Sequence, residues 1–230
     1  MLLRRGGIHM NKKKVLKIIL LFILIAVIIF LAITIRKMII ISDLNNKVSK
    51  YINSNNHYEK IVNNSGGMTE FYLKDENALM IYTLKEKDTG KNRKLMQYTK
   101  GDKVNTYIDV EDSKIAMLGA SRDEVQSQIM IMGFDYENNL WSLFKLAAMS
   151  KIKTVKYEGK DCYFVQSLIA DNAYIQKQTG LTLKANNGYS VKEDGTEEAI
   201  VAEYYYEFDN VDDSIFVEPD ISRYKIQENN

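Results

Sequence analysis

An almost unbroken apolar run of eighteen residues, 18–35, lies near the start of this 230-residue chain. At about 1.5 Å per residue the run makes a helix of roughly 27 Å, close to the ~30 Å hydrocarbon core of a bilayer. A signal peptide has a shorter apolar region and a small-residue cleavage site, and no Ala-x-Ala follows this run. The sequence therefore predicts a retained transmembrane anchor over residues 15–38, the alternative being a cleaved signal peptide.

The charges on either side of the run predict its orientation. Four lysines precede it, whereas only Arg36 and Lys37 follow it. Because basic residues stay on the cytoplasmic side, we expect residues 1–14 to be a cytoplasmic start and residues 39–230 to be an extracytoplasmic domain. Residues 1–9 have the sequence that a purine-rich ribosome-binding site would encode if translated, so a start at Met10 is a further hypothesis.

The part of the chain beyond the apolar run is acidic. The first 42 residues hold eight of the 31 basic residues and none of the 30 acidic ones, which leaves 23 basic residues against 30 acidic ones and a net charge of −7. Such a surface repels both nucleic acid and anionic lipid headgroups, so we expect neither as an electrostatic partner and exclude nucleic acid. The single cysteine, Cys162, rules out an internal disulfide, so the domain must depend on its hydrophobic core.

The period of the apolar residues changes from that of a helix to that of strands. Leu44, Val48, Tyr51 and Ile52 have the spacing of an amphipathic helix that packs on a sheet and can continue directly from the membrane helix. Beyond it, alternating β-branched and aromatic residues separated by Gly and Asp turns predict an antiparallel meander. The predicted strands span residues 57–63, 69–74, 78–87, 93–100, 103–109, 114–118, 152–157, 161–168, 173–178, 181–187 and 197–208.

Two further helices are predicted between the two groups of strands. Residues 121–124 have the form of a capping box and open the first helix, and the second spans about residues 137–149. One face of the sheet should be covered and the other wet, because residues alternate along most strands. The expected fold class is α+β, with a single curved sheet that wraps the helices.

Three segments of the carboxy-terminal half resemble the LolA-like superfamily. They are YEGKDCYFV from Tyr157, YIQKQTGLTLK from Tyr174 and YYYEFDNVDDSIFVEPD from Tyr204. The superfamily includes lipoprotein carriers, RseB-type sigma regulators and membrane-bound Gram-positive relatives such as GerS-like germination proteins. The resemblance runs from about residue 43 to 226, and it implies a half-open antiparallel β-barrel with helices as a lid over an apolar cavity.

The same resemblance directs attention to two groups of apolar residues. Leu140, Trp141 and Phe144 on the second predicted helix are candidates to line the apolar cavity, the alternative being plain packing of the helix on the sheet. At the end of the third segment, the expected contacts that hold the tail on the sheet are those of Phe208, Val211, Ile215 and Phe216.

The sequence holds no complete catalytic or metal-binding motif. Residues 142–145 and 150–153 match Ser-x-x-Lys, but the companion motifs of penicillin-recognising enzymes are missing. His57 is expected at the surface and Cys162 as a small buried side chain. The acidic residues of the tail lack calcium-loop spacing and are expected to form a solvated face; they are Asp209, Asp212, Asp213, Glu218 and Asp220.

We therefore expect a non-enzymatic, membrane-anchored protein without a cofactor. The first hypothesis is an adaptor or regulator of cell-envelope machinery, with a link to sporulation or germination, that acts on an envelope protein partner. Its basis is the anchor, which removes the mobility that a soluble carrier needs. The alternative is binding of lipid or of a lipoprotein acyl chain in an apolar cavity of several hundred Å³.

Overall fold

A continuous helix of 41 residues, α1 (Lys12–Ile52), opens the described part of the chain. The structure is a computed structural model that describes residues 12–52, 54–85, 90–110, 113–121, 139–168, 172–191 and 195–227. At 1.5 Å per residue α1 is about 60 Å long. Within the described residues, α1 alone is long and apolar enough to cross a membrane, and the side chains of its apolar run are almost all exposed.

The last third of α1 is amphipathic, as predicted. Ile41, Leu44, Asn45 and Val48 are buried, whereas the residues between these turns are exposed or half-buried. Helix α1 passes from the apolar run into this amphipathic segment without a break. The predicted amphipathic helix, which starts at Ser42, is confirmed as far as Ile52, and so is its direct continuation from the apolar run.

In the described part of the chain, twelve strands form one sheet, and a second helix, α2 (Leu140–Met149), precedes the seventh strand. Two short 3-10 helices follow the eleventh strand, over Asp213–Phe216 and Ile221–Arg223. The strands are β1 (Asn56–Asn63), β2 (Gly67–Lys74), β3 (Asn77–Lys85), β4 (Asn92–Lys100), β5 (Lys103–Val110), β6 (Ser113–Ser121), β7 (Ser150–Tyr157), β8 (Lys160–Ser167), β9 (Ala173–Gln176), β10 (Thr182–Val191), β11 (Glu197–Phe208) and β12 (Lys225–Gln227).

The order of the strands in the sheet is β12-β6-β5-β4-β3-β2-β1-β11-β10-β9-β8-β7. All neighbours are antiparallel except β12 and β6, which pair in parallel. The sheet therefore has two edges, β12 and β7, and is not closed into a barrel. The edge strand β7 has exposed lysines at 151, 153 and 156, which discourage pairing with another chain.

The α+β class, the antiparallel meanders within a single sheet and most strand positions are confirmed, and the pairing of β1 with β11 joins the meander of β1 to β6 to that of β7 to β11. Helix α2 is confirmed too, although it begins at Leu140 because Asn139 caps it, with its side-chain oxygen 2.7 Å from the backbone N of Ser142. The other predicted helix, which the capping box opens, lies outside the described residues except for Ser121, the last residue of β6.

The register of the strands defines two faces of the sheet. Tyr206, Glu59, Phe71 and Met80 lie side by side on neighbouring strands and share one face, here called the helix face. Glu207, Tyr58, Tyr72, Leu79 and Tyr98 share the opposite face, here called the tail face. Side chains alternate between the two faces along each strand because a strand has a period of two.

Helix α1 covers the helix face over β8 to β11. Leu44 is only 1% exposed and packs in a core cluster with Val165, Ile175, Ala185 and Tyr204. Further along the helix, Val48 and Tyr51 pack with residues at the other end of β11. At about 25 cal/mol per Å², burying this stripe is the main stabilising interaction between α1 and the sheet.

The carboxy-terminal tail covers the tail face over β3 to β6. Ile215, Phe216 and Tyr224 pack against the buried cluster that includes Leu79 and Tyr107. The Tyr107 hydroxyl donates a hydrogen bond to a carboxylate oxygen of Glu218, which ties the tail to β5. The contacts expected of Ile215 and Phe216 are therefore confirmed. Val211 is buried, whereas Phe208 packs with the end of α1 on the helix face.

The contacts of α1 also give the sheet a direction. Leu44 packs with Ala202 and Tyr204, whereas Tyr51 contacts Phe208, with 4.6 Å between the ring centroids. Helix α1 and β11 therefore run the same way. We call the end of the sheet at the start of β11 the near end, since it lies toward the apolar run, and the opposite end the far end.

Candidate functional site

The joint between α1 and the sheet is formed by the turn from β9 to β10. Gly180 in this turn has φ +75°, and a Cβ built there would lie 2.4 Å from the backbone oxygen of Leu44 and 3.0 Å from the backbone nitrogen of Val48. The Thr179 hydroxyl donates to the Gln176 side-chain oxygen (3.0 Å) and accepts from the backbone N of Leu181 (3.2 Å). Only glycine allows the turn to approach the helix this closely.

Two lysines of α1 strengthen this joint. The Lys47 ammonium donates to the backbone oxygen of Lys177 (2.9 Å) and forms an ion pair with Asp43 one turn earlier (2.6 Å). The Lys37 ammonium donates to the backbone oxygen of Ser150, the first residue of β7 (2.5 Å). Contacts on both sides thus hold α1 to the sheet, so the helix and the domain form one body.

Several polar side chains are buried beneath α1 on the helix face. His57 is 1% exposed, so its expected surface position is wrong: Phe71 and Phe208 flank the ring, with centroids 5.8 and 6.2 Å away. Its Nδ1 lies 3.0 Å from the backbone oxygen of Ser54, and burial lowers the pKa of the imidazole. Glu59, the next inward residue of β1, is also buried.

Two more buried polar groups lie on this side of the sheet. The side-chain amide of Asn45 on α1 has no hydrogen-bond partner among the described residues, nor does the hydroxyl of Tyr206. Tyr206 stands opposite Glu59 in the register, and burial together with the nearby carboxylate raises the pKa of its phenol well above the ordinary value.

Helix α2 packs against α1 just beyond the apolar run. Leu146 and Ala147 are buried with Ile41, and Leu143 and Met38 pack against them. An open groove of about 470 Å³ lies between the two helices. Its lining is mainly apolar and begins at the last residue of the apolar run: Ile35, Met38, Ile39, Ser42, Asp43, Asn46 and Leu143.

The three candidate cavity-lining residues lie on the outer side of α2. Leu140 and Trp141 are 76% and 62% exposed, and Phe144 is half-buried. The rings of Trp141 and Phe144 stack with centroids 5.7 Å apart, and the Lys145 ammonium lies 5.3 Å from the Trp141 ring. None of these three residues lines the groove, and their role as cavity lining stays a prediction.

A patch of aromatic residues lies on the tail face where neither α1 nor the tail covers it. It consists of Tyr157, Phe164, Tyr174 and Tyr205, and we call it the aromatic patch. Tyr174 links its members, with ring centroids 5.0 Å from Tyr157 and 4.8 Å from Phe164. A pocket of about 230 Å³ opens beside it, lined among others by Lys160, Gln176 and Leu183.

An ion pair sits at the centre of the aromatic patch. The Lys184 ammonium lies 2.8 Å from Glu203 Oε1, which also accepts from the Tyr157 hydroxyl (3.0 Å). Tyr205 donates to the other carboxylate oxygen (3.2 Å). The hydrogen bond from Lys184 lowers the pKa of Glu203, and the same bond raises the pKa of Lys184, so both stay charged at neutral pH.

The remaining candidate residues do not assemble a reactive site. Cys162 is fully buried, which confirms the expectation, and burial raises the pKa of its thiol. Ser150 and Lys153 are three residues apart in β7, so their side chains point to opposite faces. The tail acids are exposed, as expected, and within the described residues no three His, Cys, Asp or Glu side chains are grouped to hold a metal ion.

Sequence reasoning missed the aromatic patch and the importance of Gly180. Lys184 and Glu203 are nineteen residues apart, and only the pairing of β10 with β11 brings them together. The signal for the turn was present in Thr179-Gly180, but a sequence does not show which helix the turn meets. Leu143, the residue of α2 that lines the groove, was likewise passed over because it lies between the larger Trp141 and Phe144.

No family model matches this chain, and no curated protein matches it. Among solved structures, the fold is similar to that of an uncharacterised conserved protein from Thermus thermophilus, with 8% sequence identity and a TM-score of 0.43. The likeness covers 82% of this chain and 98% of that one. At this level of similarity we draw no conclusion about function from it.

Proposed function

We propose that this chain is a non-enzymatic, single-pass membrane protein whose extracytoplasmic domain acts as an adaptor or regulator of cell-envelope machinery by binding a protein partner. The apolar run of α1 is the anchor. The four lysines before the run, against only Arg36 and Lys37 directly after it, favour a cytoplasmic amino terminus.

The observation that carries this proposal is the joint at Gly180. A helix that enters the hydrophobic core of the domain cannot act as a loose tether, so the domain keeps one height and one orientation relative to its anchor. A carrier must leave one membrane and reach another, and this architecture opposes that movement. A regulator or adaptor benefits from a fixed orientation because the entropy of positioning its binding surface is already lost.

The aromatic patch is the surface that we assign to the partner. Tyrosine is enriched in the centre of protein interfaces, where its ring supplies apolar area and its hydroxyl a hydrogen bond. Tyr205 is the most exposed member, and its hydroxyl is held by Glu203, so the side chain is ordered before binding. The pocket beside it can accept one side chain of a partner.

The test is photo-crosslinking in intact bacteria. A photoreactive amino acid at position 205 of the full chain should form an adduct with one envelope protein, and Lys184→Glu should abolish it by breaking the ion pair at the centre of the aromatic patch. Lys103→Glu, an exposed lysine of β5, is the matched control and should leave the adduct intact. Unchanged crosslinking in Lys184→Glu, or no adduct from a folded and surface-exposed domain, would refute the assigned surface.

A second candidate function, binding of a lipid acyl chain, is favoured by the groove between α1 and α2. Its volume of about 470 Å³ lies in the range of small-molecule sites. Because its lining begins at Ile35, an acyl chain could enter it from the outer leaflet. Native mass spectrometry of the full chain should then show bound lipid that Leu143→Gln removes and Leu140→Gln, on the exposed side of α2, does not.

The LolA-like assignment and its half-open barrel belong to the same proposal. A long antiparallel sheet with a helix on one face supports them, as does the tail that packs across β3 to β6. An experimental structure of the domain would test the assignment directly, because a LolA-like fold should show a half-open barrel with an apolar cavity on the helix face.

A further inference from the structure

We infer that the near end of the domain rests on the bilayer, with Trp141, Leu168 and Val191 inserted in the interfacial layer of the outer leaflet. The inference rests on the proposed crossing of the membrane by α1. It adds a second, peripheral membrane contact made by three separate parts of the chain: α2, the residue that follows β8, and the end of β10. Its ligand is the lipid surface itself.

The first step is the position of these elements relative to the apolar run. Helix α2 packs on Met38 and Ile41, one to two turns beyond Ile35. Strand β7 starts beside it at Ser150, which pairs with Ser167 at the end of β8. The start of β7 and the end of β8 therefore both lie at the near end.

The second step is the reach of β10. Ala185 packs in the same cluster as Leu44, so the two residues lie at about the same distance from the apolar run. From Ala185 to Val191 the strand continues toward the near end alongside five residue steps of β11, because β10 has a bulge here, and this amounts to about 17 Å of extended chain. Along α1, Leu44 stands only about 14 Å beyond Ile35. The end of β10 thus reaches the level at which the apolar run ends.

The third step is the exposure of large apolar side chains at this end. Leu168 is 83% exposed, Val191 is 70% exposed and Tyr189 on the same strand is 63% exposed. Together with Trp141 and Leu140 they come from three elements that are distant in sequence. Scattered single exposed residues are ordinary, but several at the end that faces a membrane indicate a common contact. Tryptophan and tyrosine prefer that depth because one part of the ring system is apolar and the other polar.

Basic residues surround the α2 side of this end. Arg36, Lys145 and Lys151 are exposed, and Lys37 is held at the base of β7. Their long side chains can reach the phosphate groups while their methylene stems stay in the apolar layer. Glu197 and Glu198 lie on the β11 side, so we expect the α2 side to sit deepest in a membrane that contains anionic lipid.

The only tryptophan of the chain is Trp141, which makes the test direct. The full chain is reconstituted in vesicles of zwitterionic and anionic phosphatidyl lipids, with or without lipid brominated near the top of the acyl chains. Bromine quenches tryptophan at short range. Interfacial insertion should give a blue-shifted emission and a roughly twofold loss of intensity with brominated lipid.

Two relocated tryptophans sharpen the result in a Trp141→Phe background. Leu168→Trp at the near end should be quenched as strongly as Trp141. Val217→Trp is the control, because Val217 is equally exposed but lies near Asn77 and Lys100 at the far end. It should show no quenching. Equal quenching at both positions, or none at Trp141 and at position 168, overturns the inference.

Alkaline extraction of the same vesicles separates this inference from the proposed anchor. Removal of the chain by alkali shows that α1 does not cross the bilayer and ends both proposals. If the chain stays in the vesicles but Trp141 is not quenched, only the second membrane contact is refuted. Blue-shifted but unquenched emission means that protein covers the near end instead of lipid, which also contradicts the inference.

Discussion

The two halves of the sheet are covered on opposite faces. Over β8 to β11 helix α1 lies on the helix face, and the tail face there carries the exposed aromatic patch. Over β3 to β6 the tail lies on the tail face. Where the two halves meet, Phe71 and Leu73 of β2 are buried on the helix face, whereas Leu79 and Ile81 of β3 are buried on the tail face. One half is therefore stabilised by the anchor helix and the other by the last residues of the chain.

This difference suggests a division of roles. The half under α1 is bound to the membrane segment through Leu44 and Gly180, and it presents the aromatic patch on its free side. The half under the tail has no comparable link to α1 within the described residues, and it closes the far side of the core. Substitutions that weaken the first half should change both the orientation of the domain relative to its anchor and its binding of a partner. Substitutions in the second half should mainly lower the free energy of unfolding.

The largest effect is expected from Gly180→Ala. The new Cβ would approach backbone atoms of Leu44 and Val48, which cannot move without shifting α1, and the positive φ adds strain. The expected loss in the free energy of unfolding is at least about 4 kcal/mol. Chemical denaturation of the detergent-solubilised chain measures it.

Gly159→Ala is the control for that loss. Gly159 has φ +77°, and a Cβ there would meet nothing within 4 Å. Only the strain of the backbone is then added, about 1 kcal/mol. Equal losses in the two variants would show that the close approach of the turn to α1 contributes nothing.

Leu44→Ala should have the next largest effect, a loss of about 3 kcal/mol from a fully buried position. Hydrogen exchange should show faster amide exchange in β8 to β11 and little change in β4 to β6. Phe216→Ala, on the tail, should show the reverse pattern with a smaller loss because the side chain is half-buried. Uniform acceleration in both variants would mean that the halves unfold as one unit.

The buried histidine should make stability depend on pH. Because the pKa of His57 is lowered in the folded protein, the unfolded chain binds the proton more readily. Stability should fall as the pH drops below about 6.5, by up to about 1.4 kcal/mol per pH unit, until the lowered pKa is reached. His57→Leu should flatten this part of the profile of melting temperature against pH, and an unchanged slope would contradict the assignment.

The smallest effect is expected from the ion pair in the aromatic patch. Lys184 and Glu203 are both about one-third exposed, so solvent screens their attraction. Glu203→Gln should reduce the free energy of unfolding by less than about 1 kcal/mol. A loss as large as that of Leu44→Ala would show that the patch is structural rather than a binding surface.

Most of the fold could be predicted because its signals are local. The alternation of residues in β1 to β5 and the glycine turns between them placed the strands to within a few residues, and the spacing of Leu44 and Val48 identified the end of α1 as amphipathic. The choice of face was not predictable. Ile175 and Leu79 are equally apolar, and only the path of the chain decides that α1 covers the first and the tail covers the second.

The candidate site was harder to predict for the same reason. Helical spacing showed that Trp141 and Phe144 share a face, but not whether that face meets the sheet, the groove or the surroundings. His57 was expected outside because histidine is polar, whereas the neighbouring strands place two phenylalanine rings around it. The ion pair of Lys184 and Glu203 depends on register, which is a property of paired strands and not of either strand alone.

The unbroken course of α1 has a geometric consequence. An α-helix turns by about 100° for each residue, so inserting one residue between Ile35 and Met38 would rotate the domain by that angle about the helix axis and lift it by about 1.5 Å. The direction in which the aromatic patch points is therefore set by the number of α1 residues between the apolar run and the part of α1 that packs on the sheet. Evolution could redirect the domain toward a different neighbour by a single insertion, without changing any residue of its surface.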